Sequence, residues 1–390
     1  MQARQVEAPF RKLMGPGPLN IHPRVYQALT SPVIGHLDPA YLKVLDQVAE
    51  SLRTVFRTKN RVTAAAPGTG TSGMESCVAN LMEPGDPVLV CVMGYFGDRI
   101  RQMAERQEAK VTVIEGEWGK PIDSERVEKE LKKNGCKVIG LVHAETSTGV
   151  LQPMAEISRL AKEHDAMLLL DTVTSLGGVD VRIDEWGVDA AYSCSQKCIG
   201  CPAGLAPVTF SDRAVESVYR RKHPVRSWYL DVSLLEKYWG GDRVYHHTSS
   251  STLNYGLLEA LRLIEEEGLG KRIQRHTRNH KALVAGVEAM GLEMLVAPEF
   301  RLPSLNTVKI PDGIDDMKVR SYLLETHNLE IGGGLGALKG KVWRVGLMGY
   351  SSSAENILFF IAAISQALAL QGYKTDVAAG LAAVTSALKG

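Results

Sequence analysis

Between residues 86 and 195 short apolar runs alternate with amphipathic stretches. "DPVLVCVMG" (86–94) is rich in β-branched residues and closes on glycine, which predicts a buried strand. "DRIRQMAERQEAK" then has helical periodicity, and "VTVIEGE" is the next strand. "DSERVEKELKKN" opens on an aspartate placed to cap a helix. "CKVIGLVHAE", "AMLLLDTVTS" and the short "AAYSCS" are strands, with the helix "MAEISRLAKEHD" between the first two. Strands that are apolar nearly throughout, separated by helices, predict an α/β fold with a largely parallel sheet covered on both faces. Ligands in such folds bind beyond the carboxyl ends of the strands.

The rhythm changes after residue 250. "TLNYGLLEALRLIEEEG" and "LGKRIQRHTRNHKALVAGVEAMG" predict long helices. They are followed by a strand at "NTVKIP", a helix over 315–327, the glycine loop "IGGGLGALKGK", a strand at "VWRVGLMG" and a helix over 353–371. This divides the chain into an N-terminal arm (1–20), a large α/β domain (21–264) and a smaller α+β domain (265–390).

Composition narrows the function. The 390 residues are 45% hydrophobic and 23% charged, ordinary values for a globular enzyme. A net charge of +1 without long single-sign runs argues against a nucleic-acid or anionic-membrane partner. No run reaches the ~18 apolar residues of a membrane span. The start lacks a secretory core and the closing "SALKG" is not a peroxisomal signal, so a cytoplasmic enzyme is expected. Six scattered cysteines do not form a disulfide framework, and "CIGC" (198–201) has no second pair to complete a metal site.

The candidate chemistry gathers at strand ends. Lys197, in "SCSQKCIG", stands among small and weakly polar residues rather than on a charged surface. It is either a surface lysine or an amine desolvated enough to form a Schiff base. Asp171 closes "MLLLD", and a separation of 197 − 171 = 26 residues allows both to lie at adjacent strand ends. It could equally cap a helix or form a turn. "PGTGTSGMES" (67–76) offers Thr69, Gly70 and Thr71 before a helix, either a phosphate cup or a ligand-free turn. Phe96 in "YFGDR" could stack on a planar ring or fill the core. Thr146 lies in "HAETSTG", another strand end. Arg344, inside the apolar "WRVG", needs a partner, either a substrate carboxylate or a structural carboxylate. His276 and His280 are four apart on a basic helix and are expected on its solvated face.

In this order and spacing the motifs resemble the fold-type I, class V aminotransferases, and among them the alanine–glyoxylate and serine–pyruvate/glyoxylate family. The likeness runs through "MGPGPLNIHPRV", "PGTGTSGMES", "HAETSTGVLQP", "LLLDTVTSLGG", "CSQK", "YHHTSS", "EIGGGLG" and "RVGLMG". It implies pyridoxal 5'-phosphate as cofactor and a mostly parallel sheet of seven strands. Lys197 then resembles the Schiff-base lysine and Asp171 the partner of the ring nitrogen. Val173 would pack on one ring face and Phe96 on the other. Thr69, Gly70, Thr71 and Gln196 would cradle the phosphate, and Thr146 would face the phenolic oxygen. Tyr245 and Thr248 would reach the phosphate of a neighbouring subunit, which implies a homodimer with shared sites. Arg344 and Gly17 would bind substrate, and the glycine-rich rim implies small amino acids such as alanine or serine, with glyoxylate or pyruvate as 2-oxo acid. The chain departs from animal members at Phe96, where they have tryptophan, and at Thr71, where they have histidine. The alternatives are ureidoglycine–glyoxylate transamination, another class V activity such as cysteine desulfuration, and a non-catalytic subunit on the same fold.

Overall fold

A computed structural model describes residues 7–389. Its main sheet has seven strands: β1 Val62–Pro67, β2 Pro87–Val92, β3 Lys110–Glu115, β4 Val138–Val142, β5 Met167–Asp171, β6 Ala190–Tyr192 and β7 Leu205–Phe210. Their spatial order is β1-β7-β6-β5-β4-β2-β3. All pairs are parallel except those of β7, which runs antiparallel to both β1 and β6. β4, β5 and β6 are buried along their whole length, as parallel strands with helices on both faces must be. The register pairs Val142 with Asp171 and Asp171 with Tyr192, so the carboxyl ends of three neighbouring strands finish level.

The helices obey the local signals. Asp123 accepts from the Glu125 amide (2.9 Å) and starts the helix Ser124–Asn134. The helix after β2 starts at Tyr95, so Phe96 lies in its first turn rather than in a loop before it. β1 and β7 and the helices Pro23–Leu29, Pro39–Phe56 and Val377–Lys389 lie outside the apolar rhythm that marked the other elements.

Two apolar cores are separate. One surrounds the seven-stranded sheet and takes in Leu257, Leu261 and Ile264 from the helix Ser251–Glu267. The other gathers Leu283 and Val287 from the helix Leu269–Ala289, Phe360 and Ile364 from Ala354–Ala369, and Trp343. Met14 packs in this second core, and Lys12–Leu13 pairs in parallel with Leu329–Glu330. Residues 12–14 of the N-terminal arm therefore pack on the smaller core, while Leu19 joins the larger one. A three-stranded sheet, Leu305–Lys309, Val342–Gly346 and Gly332–Gly333, carries Arg344 in its middle strand. Part of the glycine loop is thus an edge strand opposite Arg344. Among the described residues no helix is long and apolar enough to cross a membrane.

Candidate active site

Lys197 lies in the turn after β6. Its side chain is 8% exposed, and Nζ donates to the carbonyl of Pro16 in the N-terminal arm. Burial lowers its pKa below that of a free lysine, because the charged form loses its water. Two close approaches require glycine. A Cβ on Gly17, at φ +100°, would stand 2.7 Å from Lys197 Cδ and 3.0 Å from Nζ. One on Gly70 would stand 2.8 Å from Cys194 Cβ.

Asp171, at the end of β5, is fully enclosed. Oδ2 accepts from the Tyr192 hydroxyl at 2.6 Å, and Oδ1 from the Val173 amide at 2.8 Å. Burial raises its pKa to about 7 against the pull of these donors; Glu145 adds repulsion and Lys197 attraction. Val173, two residues on, is half-buried above the sheet.

Thr69 is the N-cap of the helix Gly70–Leu81, and Thr71 is exposed in its first turn. Ser72 Oγ turns inward to the carbonyls of Thr69 (2.7 Å) and Pro67 (3.1 Å). Arg99 donates to Thr71 Oγ1 (3.2 Å) and lies over the rings of Phe96 (5.0 Å) and Tyr95 (5.2 Å). Gln196 Oε1 is buried without a partner beside Lys197, the kind of orphaned acceptor that a bound group satisfies.

Thr146 is buried, and its hydroxyl is bonded to that of Thr174. Its carbonyl accepts from Arg344 Nη1 at 3.1 Å, while Arg344 Nε donates to the Gly333 carbonyl at 2.8 Å. The guanidinium therefore links the loop after β4 to the edge strand Gly332–Gly333. Burial brings its pKa down to about 10, and among the described residues no carboxylate forms an ion pair with it. Tyr245 and Thr248 are exposed on the segment after the helix Val232–Trp239, with Tyr245 against the His36 ring at 5.1 Å. Within one chain they are not brought to Lys197 by any hydrogen bond.

Three residues that sequence reasoning missed belong to this cluster: Tyr192, Glu145 and Arg99. Glu145 is fully buried and accepts from the amides of Phe96 (3.2 Å), Gly97 (3.3 Å) and Ser147 (3.0 Å) and from Ser147 Oγ (2.6 Å). It thereby fastens the helix that carries Phe96. Only the Arg99 position had a local signal, three residues after Phe96 on a helix. Cys198 and Cys201 are buried thiols with pKa values raised by burial, so neither is a poised nucleophile. The expected solvated face at His276 and His280 is corrected: both are buried. His280 Nδ1 bonds Asn306 Oδ1 at 2.6 Å, and His276 lies between Arg272 and Gly349.

The model of the family described as "Aminotransferase class-V" matches residues 29–357. The alanine–glyoxylate aminotransferase of Drosophila melanogaster is 40% identical over 381 residues, 96% of this chain and 97% of that protein. The (S)-ureidoglycine–glyoxylate transaminase of Bacillus subtilis is 39% identical over 383 residues, 94% and 92% of the two chains. The crystal structure of ureidoglycine–glyoxylate aminotransferase from Bacillus subtilis superposes with a TM-score of 0.97, over 99% of this chain and 100% of that one. That of alanine–glyoxylate aminotransferase from Nostoc sp. is 50% identical, with a TM-score of 0.93 over 94% and 98%.

Proposed function

The chain belongs to the class V aminotransferases, enzymes that depend on pyridoxal phosphate, and on that premise we propose that it moves the amino group of alanine or serine to glyoxylate or pyruvate. The observation that carries the reading is Lys197: a buried amine of lowered pKa at the carboxyl end of the sheet, close enough to Asp171 to feel its charge. The residues around it fit the cofactor. A buried amine of lowered pKa, an enclosed carboxylate, a helix N-terminus opened by Thr69, Gly70 and Thr71, and the unpartnered Gln196 Oε1 answer its aldehyde, ring nitrogen and phosphate in turn.

When bound, pyridoxal phosphate supplies an electron sink for the pair released as the Cα–H bond of an amino acid breaks. In our reading Lys197 would hold the cofactor through Nζ, and the same atom would take the proton from the substrate Cα. Asp171, fixed by Tyr192 and Val173, would meet the ring nitrogen; a cation there would favour the ionised carboxylate that burial alone disfavours. Val173 and Phe96 would pack against the ring, and Thr146 would lie beside it. Arg344 takes the substrate carboxylate, with Gly17 leaving space over Lys197. Tyr245 and Thr248 complete the phosphate site of a neighbouring subunit in a homodimer; their exposure in one chain supports this. Six free cysteines support a cytoplasmic place.

The test is a donor–acceptor matrix with purified holoenzyme: alanine, serine, glycine and ureidoglycine against glyoxylate and pyruvate. We expect parallel-line, ping-pong kinetics and the highest kcat/KM for alanine or serine. Turnover of none of these pairs would overturn the reading. The likeness to the Bacillus subtilis enzyme favours ureidoglycine as the second candidate donor, and a kcat/KM for it above that of alanine would replace alanine.

A further inference from the structure

Behind the lysine turn lies a buried to half-buried polar group with no part in the chemistry above. Arg272, Arg275 and His276 lie on the helix Leu269–Ala289, and Glu267 ends the helix before it. Arg272 is 6% exposed and uses all three nitrogens. Nε donates to the Gly177 carbonyl (3.1 Å), Nη2 to the Cys198 carbonyl (2.7 Å) and Nη1 to Glu267 Oε2 (2.9 Å). Arg275 donates from Nη1 to the carbonyls of Gly349 (3.1 Å) and Ser352 (2.7 Å), and from Nε to Glu267 Oε1 (2.5 Å). The Gly349 amide donates to His276 Nε2 at 2.9 Å, so His276 Nδ1 must be the protonated nitrogen, and it bonds the Arg272 carbonyl at 2.8 Å. The imidazole is neutral: burial and the two arginines hold its pKa down to about 3.

The two things this group grips are the two ends of the proposed site. Cys198 follows Lys197 directly. Gly349–Ser351 is the turn just after the strand Val342–Gly346, which carries Arg344. The two meet at Gly349, whose φ is +51°; a Cβ there would lie 3.1 Å from the Cys198 carbonyl and 3.4 Å from Arg272 Nη2. A buried ion network stabilises no better than apolar packing of the same volume, but its bonds are directional.

We infer that Glu267, Arg272, Arg275 and His276 form a positioning cluster that sets the Lys197 turn against the strand carrying Arg344. The inference rests on the roles proposed above for Lys197 and Arg344. Transamination needs the amine at Cα while the carboxylate is held at Arg344, and a misplacement of about 1 Å costs on the order of 10²-fold in rate. The work is divided. Arg272 grips the large domain through Gly177 and Cys198. Arg275 and His276 grip the small-domain turn, and Glu267 ties the two arginines together.

That division predicts a kinetic split in the holoenzyme. Arg272→Gln should lower kcat about tenfold or more with KM for alanine within about twofold, since it disturbs the lysine and not the carboxylate site. It should also slow borohydride fixation of pyridoxal phosphate on residue 197 without substrate, by about threefold or more. His276→Phe should raise KM for alanine about fivefold or more and leave the fixation rate unchanged. If Arg272→Gln does not fold, Arg272→Lys carries the test: it keeps the charge, cannot span two carbonyls and a carboxylate together, and should show the same kcat loss. A scaffold role alone predicts lower melting temperatures with kcat, KM and fixation rate unchanged below them, and that result overturns the inference. So does an identical change of kcat and KM in Arg272→Gln and His276→Phe. Absence of cofactor fixed to Lys197 in the wild type would overturn the functional reading itself and this inference with it; normal fixation with kinetically silent variants overturns this inference alone.

Discussion

Arg272 and Arg344 are buried to the same degree, each 6% exposed, and each gives two hydrogen bonds to backbone carbonyls. They differ in the third partner. Arg272 has the carboxylate of Glu267 at 2.9 Å, while Arg344 has no ion-paired carboxylate among the described residues. A buried guanidinium without a counter-charge is costly, and a ligand carboxylate would offset that cost. Compensation therefore separates a cation that ties backbone segments together from one left open to a charged ligand. By the same criterion Lys197 and Asp171, each buried without an ion pair although each feels the other's charge, stand with Arg344.

Breaking the uncompensated set should cost activity and leave the fold intact. The largest effect is expected for Lys197→Ala, with transamination down by at least about 10³-fold because the chain loses both its covalent hold and its proton carrier. Borohydride followed by peptide mapping should fix cofactor to residue 197 in the wild type and nowhere in the variant. Fixation at another lysine in the wild type would sink the assignment.

Arg344→Lys keeps the charge and loses the planar fork. Alanine affinity should fall by roughly 10²-fold, since charged hydrogen bonds are worth about 1.5–3 kcal/mol each. Simple amines without a carboxylate should bind as before, and equal loss for amine and amino acid would move Arg344 to the scaffold. The compensated arginine predicts a loss of stability as well. Glu267→Gln strands the Arg272 charge and should lower stability in denaturant unfolding by up to about 3 kcal/mol, reduced from the fully buried case because the Glu267 side chain is 27% exposed. An unchanged midpoint would erase the distinction between the two arginines.

The smallest effect is a pH slope. Asp171 has its pKa raised from 3.8 to about 7. In cofactor-free protein the folded state therefore keeps, between those values, a proton that the unfolded chain has released. The resulting stability is fully present below the unfolded pKa and is lost as pH rises through the folded one. His143 and His276, held near 4 and 3, act with the opposite sign, because the unfolded chain binds their protons first as pH falls. Only the first slope should vanish in Asp171→Asn. The variant should gain thermal stability relative to cofactor-free wild type as pH goes from 5 to 8, and a constant difference would argue against the raised pKa.

Much of the site was legible because parallel α/β sheets advertise their strand ends. "MLLLD" and "AAYSCSQK" place Asp171 and Lys197 at two such ends from apolar runs alone, and "WRVG" marks a cation that needs a partner. Local pattern misled where an element serves two cores at once. The helix Leu269–Ala289 looks basic on one face, which suggested that His276 and His280 were solvated; both are instead covered, by Gly349 and Asn306. β1, "VTAAAP", and β7, "LAPVTF", lack the β-branched density of their neighbours and are strands because they complete the sheet.

The sequence by itself determined the α/β class, the strand ends, the family, and Lys197, Asp171 and Arg344 as the residues to weigh, because apolar periodicity and short motifs are local properties. Only the tertiary structure decided which buried charges are paired. Tyr192 meets Asp171 through strand register, Glu145 reaches the Phe96 helix across 49 residues, and Arg272 finds the Cys198 carbonyl across 74. Such partners carry no local signature, since a hydrogen bond depends on a few tenths of an ångström in space and on nothing in the spacing along the chain.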